Sequence, residues 1–344
     1  MEYRSHTICC DDDARKPVWH YYVLREHNPE PGVAWRDYLY ESADEGAISE
    51  IEMLAELWGD PYAPPGGAWG TQAVDRLSAV SLGEGQRCVA CAVMGLADNN
   101  NPWDRYSIVV DFVYGTSDRR VSHRQECSGR DPTLVRLSPS RDILVLYQGR
   151  YQDHTLSLRA RRYAWKHSTW LKDYWWEPTG AEIDTGFTAQ RTGGAFAADD
   201  GLIGLVTLKI VHRTGEYWTP SDLRVIVSRD GGTTWEADCQ FSVTGGVNNV
   251  SVLPLRPSQD LLCCYVVQRP TPGARYTIVC RKLLWQGQGQ HFAVGDEVET
   301  AIEAYSIGDG VIADDGQLKV GYLDSSEAPG MIVSADGGAT WQHT

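Results

Sequence analysis

The stretches SRDGGTTW (228–235) and SADGGATW (334–341) are one eight-residue turn written twice. Each follows a short apolar run, LRVIV (223–227) and MIV (331–333), and each is preceded further upstream by a second hairpin signal. These upstream segments are AADDGLIGLVTLKIV (197–211) and IADDGQLKVGYL (312–323). Asp-Gly and Gly-Gly turns need positive φ, which glycine supplies without a steric penalty. The repeated unit therefore reads as strand, Asp-Gly turn, strand, variable loop, strand, SxDGGxTW turn. Three further segments carry its first half: RLSAVSLGEGQRCVACAVMG (76–95), DPTLVRLSPSRDILVLYQG (131–149) and NNVSVLPLRPSQDLLCCYVV (248–267).

The five starts fall near residues 76, 131, 193, 247 and 307, a period of about 57 residues. Several short strands per unit at a steady spacing predict an all-β fold, a six-bladed β-propeller over residues 1–344. Residues 71–344 hold the five recognisable blades. Residues 1–70 hold about one more unit, with strands at VWHYYVLRE (18–26) and AWRDYLYES (34–42), and five blades result if they form something else. The last unit stops just after Trp341, so its outermost strand is expected from the N-terminus, closing the ring without a free sheet edge. EGAISEIEMLAELWG (45–59) has helical periodicity and is expected as a short helix packed on the rim rather than docking a partner. A Pro/Gly loop, PYAPPGGAWG (61–70), follows it.

Composition narrows the function. A net charge of −15 argues against a nucleic-acid backbone or an anionic membrane surface as partner. No run is long and apolar enough to cross a bilayer as a helix, and the start MEYRSHTICCDDDARK lacks the layout of a secretory signal, so synthesis in a cytoplasm is expected. The nine cysteines, with adjacent pairs Cys9-Cys10 and Cys263-Cys264, read as buried small hydrophobes more than as a disulfide framework. Cys88 and Cys91 form a lone CxxC whose thiols point to opposite faces of a strand. The histidines form no HxH or HExxH pair, so no metal is expected, and the lack of a GxGxxG or P-loop removes nucleotide cofactors. Arginine outnumbers lysine 25 to 6, leaving many guanidinium groups able to grip carboxylates bidentately. The aromatic stretch YAWKHSTWLKDYWW (163–176) reads as inter-blade packing ahead of a sugar-stacking platform.

Ser228, Asp230, Gly232, Thr234 and Trp235, and again Ser334, Asp336, Gly338, Thr340 and Trp341, match the Asp-box or BNR repeat. From about residue 70 onward the chain resembles the Asp-box propellers of the sialidase-like superfamily. That resemblance implies a box that serves folding, remote from the active-site mouth. It also implies a site built from three arginines on the substrate carboxylate, a tyrosine nucleophile assisted by a glutamate, and an aspartate acid/base. Mapped on this chain, Arg76 and Arg269 fall to the clamp, Asp98 to the acid/base and Tyr305 to the nucleophile. Where the resemblance calls for the glutamate, the chain reads GGVNNVSVL, with Asn248 and Asn249. An amide cannot act as a general base. The expected function is therefore a non-catalytic binding or structural propeller with a glycan or protein partner: a glycan-recognition module, or a phage virion or tail component assembled into a larger particle. The alternative is a divergent retaining exo-sialidase-like hydrolase.

Overall fold

The computed structural model describes residues 2–10, 18–27, 35–42, 52–56, 72–83, 86–94, 106–114, 120–137, 140–152, 155–168, 173–189, 191–198, 200–210, 221–270, 273–287, 289, 291–313 and 315–344. Among them the chain forms strands and no helix, arranged as six four-stranded antiparallel sheets, each built from four consecutive strands. Blade 1 holds β1 (Glu2–Cys10), β2 (Val18–His27), β3 (Trp35–Ser42) and β4 (Glu52–Glu56). Blade 2 holds β5 (Gln72–Gly83), β6 (Gln86–Met94), β7 (Tyr106–Tyr114) and β8 (Arg120–Ser128). Blade 3 holds β9 (Arg130–Leu137), β10 (Asp142–Gln152), β11 (Thr155–Ser168) and β12 (Asp173–Thr188). Blade 4 holds β13 (Arg191–Ala197), β14 (Ile203–Ile210), β15 (Ser221–Ser228) and β16 (Glu236–Val243). Blade 5 holds β17 (Gly246–Pro254), β18 (Leu261–Gln268), β19 (Tyr276–Leu284) and β20 (Ala293–Glu303). Blade 6 holds β21 (Ser306–Ile312), β22 (Leu318–Leu323), β23 (Pro329–Ser334) and β24 (Gln342–His343).

The first strand of each blade packs against the first strands of its two neighbours, β21 against β1 included, so the ring closes. Closure differs from the sequence expectation. The outer strand of the last blade is β24, two residues after Trp341 that pair with Val333 and Ile332. The N-terminal strand β1 instead opens a complete blade of its own. The expected helix over 45–59 also gives way: residues 52–56 are strand β4, paired with β3 at Tyr40↔Met53 and Glu41↔Glu52, and the rest of that segment lies outside the described residues. Pairing with an otherwise bare blade edge outweighs a local helical periodicity.

The core lies between blades, and this explains the unbroken apolar strands. On β18, Leu261, Cys263, Tyr265 and Val267 face blade 4, while Leu262, Cys264 and Val266 face blade 6. On β10, Ile143, Val145 and Tyr147 face blade 2, and Leu144 and Leu146 face blade 4. With both faces buried, alternation disappears from the sequence. Tyr163, Trp165 and Trp176 of the aromatic stretch pack into the layer between blades 2 and 3, and Trp176 Nε1 donates to the Arg141 carbonyl at 2.8 Å.

The two SxDGGxTW turns join the third and fourth strands of blades 4 and 6 with the same bonds. Asp230 Oδ1 accepts from Ser228 Oγ (2.8 Å) and the Thr234 amide (2.8 Å), and its Oδ2 from Thr234 Oγ1 (2.6 Å). Asp336 accepts from Ser334 Oγ, the Thr340 amide and Thr340 Oγ1 at 2.8, 2.8 and 2.7 Å. Partial burial opposes ionisation of Asp230, but the bonds from Thr234, Ser228 and Thr233 outweigh it and hold the carboxyl down to about 2. Gly232 and Gly338 have φ of +92° and +90°, and each lies against a leucine of the preceding blade, Leu144 and Leu262, so a side chain is barred there twice over.

Between blades 6 and 1 lies a buried histidine pair. The Tyr322 carbonyl can only accept, so His6 presents its Nδ1–H to it (3.4 Å) and its Nε2 accepts from His20 Nδ1–H at 3.1 Å. The rings stack with Tyr22. Burial, helped by neighbouring His20 and opposed by the Tyr322 carbonyl, pushes His6 down to about 3. The unfolded chain takes up this proton below about pH 6.5, and the folded chain refuses it until about pH 3. Stability is therefore lost as pH falls through that window. His6→Gln is expected to flatten the fall in melting temperature between about pH 6.5 and 4; an unchanged slope would show that His6 contributes nothing to it.

Candidate binding site at the propeller mouth

Strand direction alternates within a blade, so blade-to-blade connections share one end of the molecule with the loops joining second and third strands. The SxDGGxTW turns lie at the other end. All six inner strands begin at the first end, the mouth, and each has a register shift near its start. The shifts fall between Tyr3 and Ser5, Val74 and Ser78, Arg130 and Thr133, Thr192 and Ala195, Val247 and Val250, and Ile307 and Gly310. A β-bulge inserts unpaired residues and re-aims their side chains. The described side chains so released include those of Asp131, Asn248, Asn249 and Asp309.

Arg191, which opens β13 just ahead of its bulge, bonds both residues of the β17 bulge. Its Nη1 donates to Asn248 Oδ1 (3.1 Å), Asn249 Oδ1 (3.2 Å) and the Asn248 carbonyl (3.4 Å). Asn248 Nδ2 then donates to the Tyr305 carbonyl (2.8 Å), and Asn249 Nδ2 to the Ile307 carbonyl (3.5 Å). Both amides are thus oriented, oxygens toward Arg191 and nitrogens toward blade 6. Among the described residues no carboxylate pairs with Arg191, whose Nε and Nη2 make no bond there. Tyr305 is half exposed, its ring edge-on to Tyr276 at 6.5 Å, beside the ion pair of Arg275 Nη1 with Glu303 (2.7 Å). No described side chain bonds the Tyr305 hydroxyl.

The structure brings Asn249 and Tyr305 into one network and leaves Arg269 out of it. Arg269 Nη2 bonds Glu297 and pairs with Glu299 at 3.5 Å, and its Nη1 donates to the Thr244 carbonyl at 3.1 Å. Glu297 also accepts from Tyr265 (2.9 Å) and Arg281 (2.8 Å), so the Arg269 guanidinium is committed to the outer strand of its own blade. Partial burial opposes the ionisation of Glu297, and the bonds from Arg269 and Tyr265 hold its carboxyl below the usual range. Blade 3 repeats the device with Tyr147 donating to Glu182 beside Arg159, which marks it as architecture. Arg76 has its backbone in β5, but its side chain lies outside the described residues, as does Asp98 entirely. Arg191 escaped the sequence reading, although it opens its inner strand in the unit just before the Asn248-Asn249 pair. Among the described residues, no group of three or more His, Cys, Asp or Glu is placed to hold a metal.

No protein-family model matches the sequence, and no curated protein matches it. Solved structures do. The NanB sialidase of Streptococcus pneumoniae, as a point mutant, superposes with a TM-score of 0.59 at 12% identity, over 94% of this chain and 65% of that one. The Trypanosoma rangeli sialidase in complex with sialic acid gives 0.57 at 8% identity, over 98% and 54%. A protein of unknown function from Dyadobacter fermentans gives 0.51 at 13% identity, over 79% and 85%. The chain thus spans about two thirds and about half the length of the two sialidases. It shares their propeller fold.

Proposed function

We propose that the chain is a binding propeller that takes the carboxylate-bearing end of a glycan at its mouth and does not hydrolyse it. One observation carries this reading: the guanidinium of Arg191 is held by two amide oxygens and has no carboxylate partner among the described residues. A cation positioned but not neutralised is a carboxylate receptor, with the three N–H groups of Nε and Nη2 still to offer. The half-exposed Tyr305 and its neighbour Tyr276 supply an aromatic flank on which a sugar ring can rest. Asn248 and Asn249 stand where a sialidase-like site needs a carboxylate, and an amide takes no proton from a phenol, so the Tyr305 hydroxyl has no base there. The turns at 228–235 and 334–341 are, on this reading, Asp-boxes that build the scaffold.

The test uses an α-sialoside in two assays. Hydrolysis of its fluorogenic form is expected to stay at background between pH 4 and 8. Binding, measured by calorimetry, is expected to weaken at least about tenfold in Arg191→Ala, the scale of one charge-assisted hydrogen bond, and to weaken with salt. Turnover abolished by Tyr305→Phe would replace this reading with the hydrolase. Absence of binding in the unaltered protein would remove the glycan.

A further inference from the structure

Blade 5 holds two sulfurs in an arrangement that none of the above uses. Cys264 on β18 and Cys280 on β19 are direct register partners, with Cys263 opposite Arg281 on the other face of the sheet. Both side chains are fully buried, and their Sγ atoms approach to 2.7 Å. Ordinary non-bonded contact, even between the smaller carbon atoms, is about 3.5–4.0 Å. Both sulfurs lie in the buried layer between blades 5 and 6, in one cluster with Leu253 and Ile307. We propose that Cys264 and Cys280 form a cross-strand disulfide, closed while blade 5 folds and then sealed from solvent by blade 6.

The step balances with a low-molecular-weight disulfide as oxidant. The thiolate of one cysteine attacks it, forms a mixed disulfide and expels one small thiol. The second cysteine, after losing its proton, attacks the protein sulfur of that mixed bond and expels the other, so two protein thiols are oxidised and one disulfide is reduced to two thiols. In the finished fold burial pushes the Cys264 thiol far above its usual range, which makes the thiolate scarce and places the reaction before burial is complete. The bond constrains the unfolded chain across the intervening segment and relieves the close contact of the thiols.

The experiment compares the full chain refolded with glutathione disulfide and with a reductant, followed by alkylation and trypsin digestion. Cleavage after Arg275 sends Cys264 and Cys280 into separate peptides unless they are bonded. The expected result is a linked peptide pair, an intact mass lower by about 2 Da and, on reduction, a melting temperature lower by about 5 °C. Cys263→Ser is expected to keep the link and Cys264→Ser to lose it. Separate alkylation of both cysteines after oxidative refolding overturns the proposal, as does a link that survives in Cys264→Ser and runs through Cys263.

Discussion

Replacing Arg87 by alanine is expected to destabilise the protein by about 3–5 kcal/mol and lower its melting temperature by about 4–7 °C. Arg87 lies on β6 in blade 2 and reaches Tyr21, Glu41 and Trp19 in blade 1. Its Nε donates to the Tyr21 hydroxyl (2.6 Å) and to Glu41 Oε2 (3.2 Å), and its Nη2 to Glu41 Oε1 (3.2 Å). Its guanidinium carbon stands 3.6 Å over the centre of the Trp19 ring. Neither charged side chain is exposed at all. Burial alone would lower the Arg87 pKa, but Tyr21 and Glu41 reverse this and leave it raised, so the guanidinium stays charged. Alanine leaves Glu41 buried without its counter-charge, and that loss dominates over the lost packing. The pair itself, weighed against a hydrophobic replacement, is worth far less. The double change Arg87→Met with Glu41→Leu is therefore expected to recover most of the stability. Thermal denaturation of the single and double variants decides it: a double variant as unstable as Arg87→Ala would show that the contact works through shape and not through charge.

The same residue shows where sequence reading stops. An excess of arginine signals carboxylate pairing, but not which carboxylate, because Glu41 lies 46 residues from Arg87 in a neighbouring blade. What was legible is what local chemistry dictates: the glycines and side-chain acceptors of the SxDGGxTW turns, and through them the period and the six blades. The final strand was not legible because two residues, Gln342 and His343, are enough to finish a blade and carry no pattern of their own. The segment 52–56 misled because its periodicity fits a helix while its position offers a bare edge to pair with.

At the mouth the division is the same. Asn248 and Asn249 were visible as departures from a motif, and Tyr305 by its context. The bond that draws Arg269 away from this network was not legible, because Glu297 arrives 28 residues later on another strand of the blade. Arg191 was missed because its significance lies in the bulges. These are backbone events set by register, and no residue type announces them.

Gly308→Ala is the second substitution expected to be severe, costing about 3 kcal/mol or more. Gly308 lies in the β21 bulge, where the last blade meets the first. A Cβ built there runs into the His6 carbonyl oxygen and comes within 2.8 Å of the Thr7 Cα, both of them backbone atoms of β1 that cannot swing aside. Its φ is not in the left-handed region, so the demand for glycine is one of space and not of conformation. The next residue is the knot of the ring. The Asp309 amide donates to Thr7 Oγ1 (2.9 Å), and its Oδ2 accepts from Ser78 Oγ (2.6 Å) and the Ala79 amide (3.2 Å). Ser78 Oγ in turn accepts from the Leu134 amide (3.0 Å), so β21, β1, β5 and β9 are tied by one run of bonds. An alanine at 308 forces β21 away from β1 and loosens this run at its first link. Asp309→Ala keeps that amide but removes the next link of the run, the carboxylate bonds to Ser78 and Ala79 on β5, so the two changes together are expected to cost less than their sum. Hydrogen exchange locates the effect: the β21 and β1 amides should lose protection in Gly308→Ala while those of blades 3 and 4 keep theirs. A melting temperature within about 1 °C of the unaltered protein would mean that the ring closes without this contact.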